Sequence, residues 1–192
     1  MARWEKSDVI AAVSAACAIF VFGLGVWQYR SSENWKRSEF VAAQIKEFNS
    51  DTINHAVLLM MDYDPVRVEL FSDRDKLDKR YVDVNFKMLV KAISQEREFT
   101  DDEFQIKIYF EHFLTALSRF NYFLTSGAIE PKELCVDFDY PIGIMTGTVR
   151  DMIRKNTGGD IEPFTKAVND YLRRWQYTDI ISFEQKIQRA RD

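Results

Sequence analysis

The pattern of hydrophobic and polar positions changes character once along the 192 residues, near residue 30. Val9 to Trp27 reads VIAAVSAACAIFVFGLGVW, nineteen residues without a charge. At a helical rise of about 1.5 Å per residue, roughly 20 apolar residues cross the hydrocarbon core of a bilayer. Peptide groups in that core find no water, so a run that crosses it has to be helical. The pattern therefore predicts a short N-terminal segment over residues 1–8 and a single transmembrane helix over residues 9–29. Val9 and Phe20 belong to its apolar body, and Trp27 and Tyr29 suit the headgroup level, where amphipathic rings gather. A cleaved secretory signal is the first rival, but its apolar region spans only about 7–15 residues and ends at a small-residue site. Here the run ends in bulky Val26-Trp27-Gln28-Tyr29. A buried core helix is the second rival.

Beyond residue 30 the pattern is amphipathic. Trp35, Val41, Ile45 and Phe48 keep helical spacing with no Gly or Pro between them and the apolar run, which predicts one long continuous helix. Asn49-Ser50-Asp51 is the predicted break, with Asp51 capping a helix that runs to about Tyr63. Asp64-Pro65 ends that helix, because a residue before proline is pushed out of helical geometry. Arg67 to Phe71 alternates and reads as a short extended piece, followed by a helix from about Lys76 to Gln95. Thr100 and Glu103 form a capping box that opens a Phe-rich helix to Ser126, closed by Gly127. Pro131 starts a short helix through about Asp137, and Pro141 starts another to Lys155 or Asn156. Gly158-Gly159 is a turn. A last helical segment follows Pro163 to about Arg189, whole or broken near Tyr177. The predicted fold is all-α: an N-terminal transmembrane helix continuing into a soluble bundle of six or seven helices, residues 30–192.

Composition fits this reading. Seven Gly and four Pro leave little punctuation for strands, while fifteen Phe supply a large apolar core. Residues 51–149 hold 18 acidic and 11 basic side chains, a net of −7. That is no nucleic-acid footprint, which needs clustered Lys and Arg. Arg3 and Lys6 precede the apolar run, and Arg30, Lys36, Arg37 and Lys46 follow it. This excess on the C-terminal side places the soluble domain in the cytoplasm, beneath the inner (plasma) membrane. Cys17 and Cys135 offer no disulfide framework within the domain.

Candidate chemistry is sparse. His55 and His112 lack the spacing of a zinc protease, and Thr52 and Tyr109 stand where a di-iron bundle needs Glu. There is no paired-cysteine motif, phosphate-binding glycine loop or nucleophile elbow, so no metal, cofactor or enzymatic activity is expected. Softer candidates are Glu111 and Arg119, eight residues apart on one helix side, as a polar pocket. Asp62, Asp64, Arg67 and Glu69 cluster around a loop as a cation or partner site. Surface charge or structural ion pairing is the simpler reading of both groups. Gly143 and Gly147 would let a neighbouring helix approach closely. In the span, Ala11, Ala15, Ala18, Phe22 and Gly25 form a largely small-residue stripe, which permits self-association in lipid.

Trp35-Lys36-Arg37-Ser38-Glu39-Phe40-Val41 and Ile45-Lys46-Glu47-Phe48, directly after the apolar run, resemble a group of small bacterial membrane-anchored proteins of unknown function. Leu117 to Gly127 (LSRFNYFLTSG), with Tyr140 following, is similar to a helix-turn signature of a related domain family. The resemblance implies a bacterial, helical, single-span protein and carries no active site. The expected function is a membrane-anchored helical interaction or scaffold module, an accessory subunit or regulator at the membrane surface. The bilayer and a protein partner or second copy are its expected partners. The rivals are a self-associating membrane effector or sensor in a stress or phage response, and an enzyme using carboxylates such as Asp62 or Glu111.

Overall fold

The computed structural model describes the backbone of residues 6–72, 75–94, 98–146 and 162–191, and side chains over 14–70, 80–94, 98–146 and 163–190. The described residues are mostly helical: α1 (Lys6–Ser50), α2 (Thr52–Asp62), α3 (Phe86–Ile93), α4 (Asp101–Thr125), α5 (Pro131–Thr146), α6 (Glu162–Arg174) and α7 (Thr178–Arg191). One antiparallel hairpin, β1 (Val66–Ser72) with β2 (Asp75–Val84), joins α2 to α3. The chain divides into two compact units, Met1–Ala43 and Gln44–Asp192.

The first unit is α1 up to Ala43. Its apolar side chains face outward: Ile19 is 72% exposed, Phe20 67%, Phe22 74% and Trp27 67%. Among the described residues no helix is long and apolar enough to cross a membrane. The side chains of Val9 and Ala11, where the expected span begins, lie outside them. The helix of that expectation is present; the crossing is not established by it.

The second unit is organised on α4, which packs against α2, α3 and α7. Ile106, Phe110, Phe113, Leu114, Leu117 and Phe120 recur at helical spacing and are fully buried. Around Phe120 an aromatic chain closes the core: Phe120 to Phe138 is 4.5 Å, Phe48 to Phe138 5.0 Å and Phe138 to Phe183 5.6 Å between ring centres. The expected caps are in place. Asp51 Oδ1 accepts from the N–H groups of Ile53 (2.9 Å) and Asn54 (2.8 Å) at the start of α2. Thr100 and Glu103 form the reciprocal capping box of α4. At its other end Gly127 takes φ +74°, and Gly127 and Ala128 donate to Leu124 O and Phe123 O. Only a residue without Cβ adopts that turn at no steric cost. The same two-bond closure ends α6 at Gln176 (φ 57°), so the last segment is two helices with the break beside Tyr177.

Two expectations are corrected. The helix from Lys76 to Gln95 is instead strand β2 followed by the short α3. Val66 pairs with Val84, Val68 with Val82 and Leu70 with Arg80, and Val68, Leu70 and Val84 are at most 3% exposed. A strand sets Val82 and Val84 on one face, whereas a helix turns them about 200° apart. Asn85 then starts α3, its Oδ1 accepting from Met88 N–H at 2.9 Å. Second, Pro141 lies inside α5 and does not begin a helix. Its ring removes one backbone bond, but Pro141, Ile142, Gly143, Ile144 and Met145 are all buried in succession, and that packing holds the helix together. The Gly158-Gly159 turn, the helix end at Lys155 or Asn156, and Gly147 lie outside the described residues.

Candidate functional site

Between α2 and β1 runs an open groove of about 430 Å³. Thr52, His55, Ala56 and Leu59 of α2 form one wall, Arg67, Val68 and Glu69 of β1 the other, and Asn49 and Ser50 close one end. Successive strand side chains point to opposite faces. The three lining residues of β1 therefore include both faces of the strand, with Val68 buried and Arg67 exposed, and the Glu69 backbone oxygen accepts from the Tyr109 hydroxyl of α4 at 3.5 Å. Among the described residues β2 is the strand that pairs with β1.

The groove combines apolar residues (Ala56, Leu59, Val68) with polar ones, among them His55, Arg67 and Glu69. The Arg67 guanidinium sits 5.6 Å from the ring centre of Tyr81. Stacking uses the face of the guanidinium and leaves its N–H edges available. Among the described residues no carboxylate pairs with Arg67, and the His55 ring makes no hydrogen bond. A pocket of this size with a mainly apolar lining and few polar groups is the usual form of a binding site.

A smaller cleft of about 230 Å³ lies between the end of α1 and the middle of α4. Its charges are spent on each other: Arg119 Nη2 is 3.1 Å from Glu47 Oε1, and His112 Nε2 is 3.2 Å from Asp51 Oδ2. Asn54, 2% exposed, donates from Nδ2 to Phe48 O at 3.3 Å, while its Oδ1 has no partner.

The polar residues singled out in the sequence separate in space. Asp62 accepts a hydrogen bond from the Tyr140 hydroxyl. Burial pushes the Asp62 carboxyl above its ordinary value, offset in part by that bond, and burial together with Asp62 pushes the Tyr140 phenol up as well. Asp64 Oδ1 accepts from Phe86 N–H at 3.1 Å, tying the end of α2 to the start of α3. Both aspartates are structural, and of that loop cluster only Arg67 and Glu69 reach the groove. Glu111 and Arg119 do not build a common pocket: Glu111 Oε1 accepts from the Tyr171 hydroxyl of α6 at 2.6 Å, whereas Arg119 pairs with Glu47. Burial and the Glu111 carboxylate push the Tyr171 phenol up. Ala15, Ala18, Phe20, Gly25, Trp27 and Tyr29 are exposed on α1. His55 enters the sequence reading only as a histidine without zinc-protease spacing, and nothing local marks it as a groove residue. Among the described residues no three His, Cys, Asp or Glu side chains come together as a metal site.

No protein-family model, curated protein or solved structure matches the chain. No residue role is carried over from elsewhere, and the reading rests on geometry.

Proposed function

We propose that this protein is a membrane-anchored interaction module, held at the bilayer by α1 and working through its helical domain. The observation that carries the reading is the distribution of exposed apolar side chains on α1. Ile19, Phe20, Val21 and Phe22 are consecutive and each at least 66% exposed. At about 100° per residue they sweep most of the helix circumference. A partner helix in water covers one stripe, whereas acyl chains cover all sides. The uncharged run from Val9 to Trp27 has the length such an anchor needs. The balance of Lys and Arg around it favours a cytoplasmic domain under the inner membrane.

The domain's part in this reading is binding. Its half-buried carboxylates Asp62 and Glu111 are bound to tyrosines, while the groove between α2 and β1 presents the Arg67 guanidinium, which no carboxylate pairs among the described residues. An anchor raises the local concentration of such a surface for partners at the membrane without adding a contact.

Membrane fractionation of the full chain tests the anchor. The chain should stay in the pellet after alkaline carbonate and leave it with detergent, and Phe20→Lys with Val21→Lys should release it. Recovery in the carbonate supernatant refutes the anchor. Native mass analysis after gentle detergent extraction tests the module: a reproducible heteromeric complex supports it, and a bare monomer or homo-oligomer refutes it.

A further inference from the structure

The groove between α2 and β1 has the size and the chemistry of a small-molecule site. We propose that it binds a small free carboxylic acid, with the carboxylate on the Arg67 guanidinium and the apolar body against α2. This goes beyond the interaction reading, since the guest is a small molecule and not a protein.

The walls are fixed before any guest arrives. Thr52, His55, Ala56 and Leu59 stand at i, i+3, i+4 and i+7, so they share one helix face over a length of about 10 Å. Asp51 fastens the start of that helix by accepting from the Ile53 and Asn54 N–H groups. Opposite, β1 is held by its ladder with β2 and by the bond from the Tyr109 hydroxyl to the Glu69 backbone oxygen. Walls held in this way lose little freedom on binding. The volume of about 430 Å³ lies at the lower end of the range for small-molecule pockets.

The polar groups select an anion. Asn49, Thr52, His55 and Arg67 all line the groove, and among the described residues their side chains have no hydrogen-bond or ion-pair partner. Each of the four is able to donate a hydrogen bond. Arg67 lies over the Tyr81 ring at 5.6 Å, which leaves its N–H edges open, and that fork matches the two oxygens of a carboxylate. Arg119 in the smaller cleft differs in this respect, because Glu47 already occupies it. Glu69 completes the lining and is engaged with the protein itself, so it is assigned no contact with the guest. The apolar residues select the rest of the molecule. Ala56, Leu59 and Val68 offer carbon surface beside the cation, which favours an amphipathic monoanion over an inorganic ion or a neutral hydrocarbon.

The test uses the full chain in lipid nanodiscs, with empty nanodiscs as the blank, and saturation-transfer NMR of propanoate, butanoate, pentanoate, hexanoate and hexanamide. Hexanoate should bind saturably and about tenfold more tightly than hexanamide, the ordinary difference between a charged and a neutral acceptor. Each methylene from propanoate to hexanoate should tighten binding about two- to fourfold. Arg67→Gln should bring hexanoate down to the level of hexanamide and leave hexanamide unchanged, a result that a misfolded variant cannot give. Thr52→Trp, at an exposed position, should fill the groove and abolish binding of both. Arg173→Gln, on α6 and outside the groove, should change neither. No saturable binding above the blank, equal binding of acid and amide, or affinity indifferent to chain length each overturns the proposal. So does an acid preference that survives Arg67→Gln, binding that survives Thr52→Trp, or an equal loss in Arg173→Gln.

Discussion

The sharpest stability prediction concerns Glu103, whose carboxylate joins two helices. Glu103 Oε2 accepts from the Thr100 backbone N–H at 2.8 Å and from Lys91 Nζ at 2.9 Å, and the side chain is 8% exposed. In return, Thr100 Oγ1 accepts from Glu103 N–H at 3.3 Å. The first turn of α4 is thereby capped and tied to the last turn of α3. Glu103→Ala removes a hydrogen bond to a charged acceptor, worth about 1.5–3 kcal/mol, and half of a capping box. Lys91 is 36% exposed, so its ammonium regains water and adds little further penalty. The expected loss is about 2–3 kcal/mol, which lowers Tm by roughly 5–10 °C for a unit of this size. Glu103→Gln keeps an acceptor and loses the charge, and should cost about 1 kcal/mol. Acid makes the prediction sharper. The Thr100 backbone bond first, and Lys91 second, hold the Glu103 carboxyl below its ordinary value. The unfolded chain thus takes up this proton at higher pH than the folded one. The contribution is fully present above the unfolded carboxyl value of about 4.3 and is lost as pH falls through the folded value. Denaturant unfolding of the full chain between neutral pH and about pH 3 checks both points. A cost below about 0.5 kcal/mol for Glu103→Ala, or an acid limb unchanged in Glu103→Gln, refutes the reasoning.

Three further outcomes follow from the same structure. Gln176 holds a left-handed conformation (φ 57°) that costs an L-residue about 1 kcal/mol, so Gln176→Gly should raise stability by roughly 0.5–1 kcal/mol in a thermal melt. Burial raises the folded Asp62 carboxyl above its unfolded value, so this group costs stability at neutral pH and ceases to as pH falls through the folded value. Asp62→Asn keeps an acceptor for Tyr140, and should match or exceed the parent at pH 7 by up to about 1 kcal/mol while losing the gain in mild acid; a marked loss at pH 7 refutes this. Phe120, fully buried 4.5 Å from the Phe138 ring centre, should cost about 3–5 kcal/mol when changed to Ala, read as a fall in denaturation midpoint at unchanged slope.

What was legible in the chain is what neighbouring residues decide among themselves. Asp51, the Thr100–Glu103 pair and Gly127 act on backbone groups within three or four positions, and each stands in the structure where the sequence puts it. The Phe-rich periodicity of α4 is equally local and equally readable. Pro141 shows the limit of this logic. Its local rule is a helix start, yet five consecutive buried residues of α5 outweigh the single backbone bond that the ring removes.

The hairpin shows a deeper limit. Leu77, Tyr81, Val84 and Met88 recur at helical spacing, so the segment after residue 75 fits an amphipathic helix. The decision against it is made across the ladder, where Val66 and Val68 meet Val84 and Val82, and Tyr81 is left 63% exposed beneath Arg67. That choice also scatters the loop cluster of Asp62, Asp64, Arg67 and Glu69. The aspartates are drawn to Tyr140 and Phe86, while Arg67 and Glu69 are carried onto a strand that lines one groove with His55, twelve residues upstream of Arg67. No spacing rule links His55 to Arg67, because their meeting requires β1 to be a strand, and that is settled by its pairing with β2. The pairing that hid the groove from the sequence is thus the pairing that creates it.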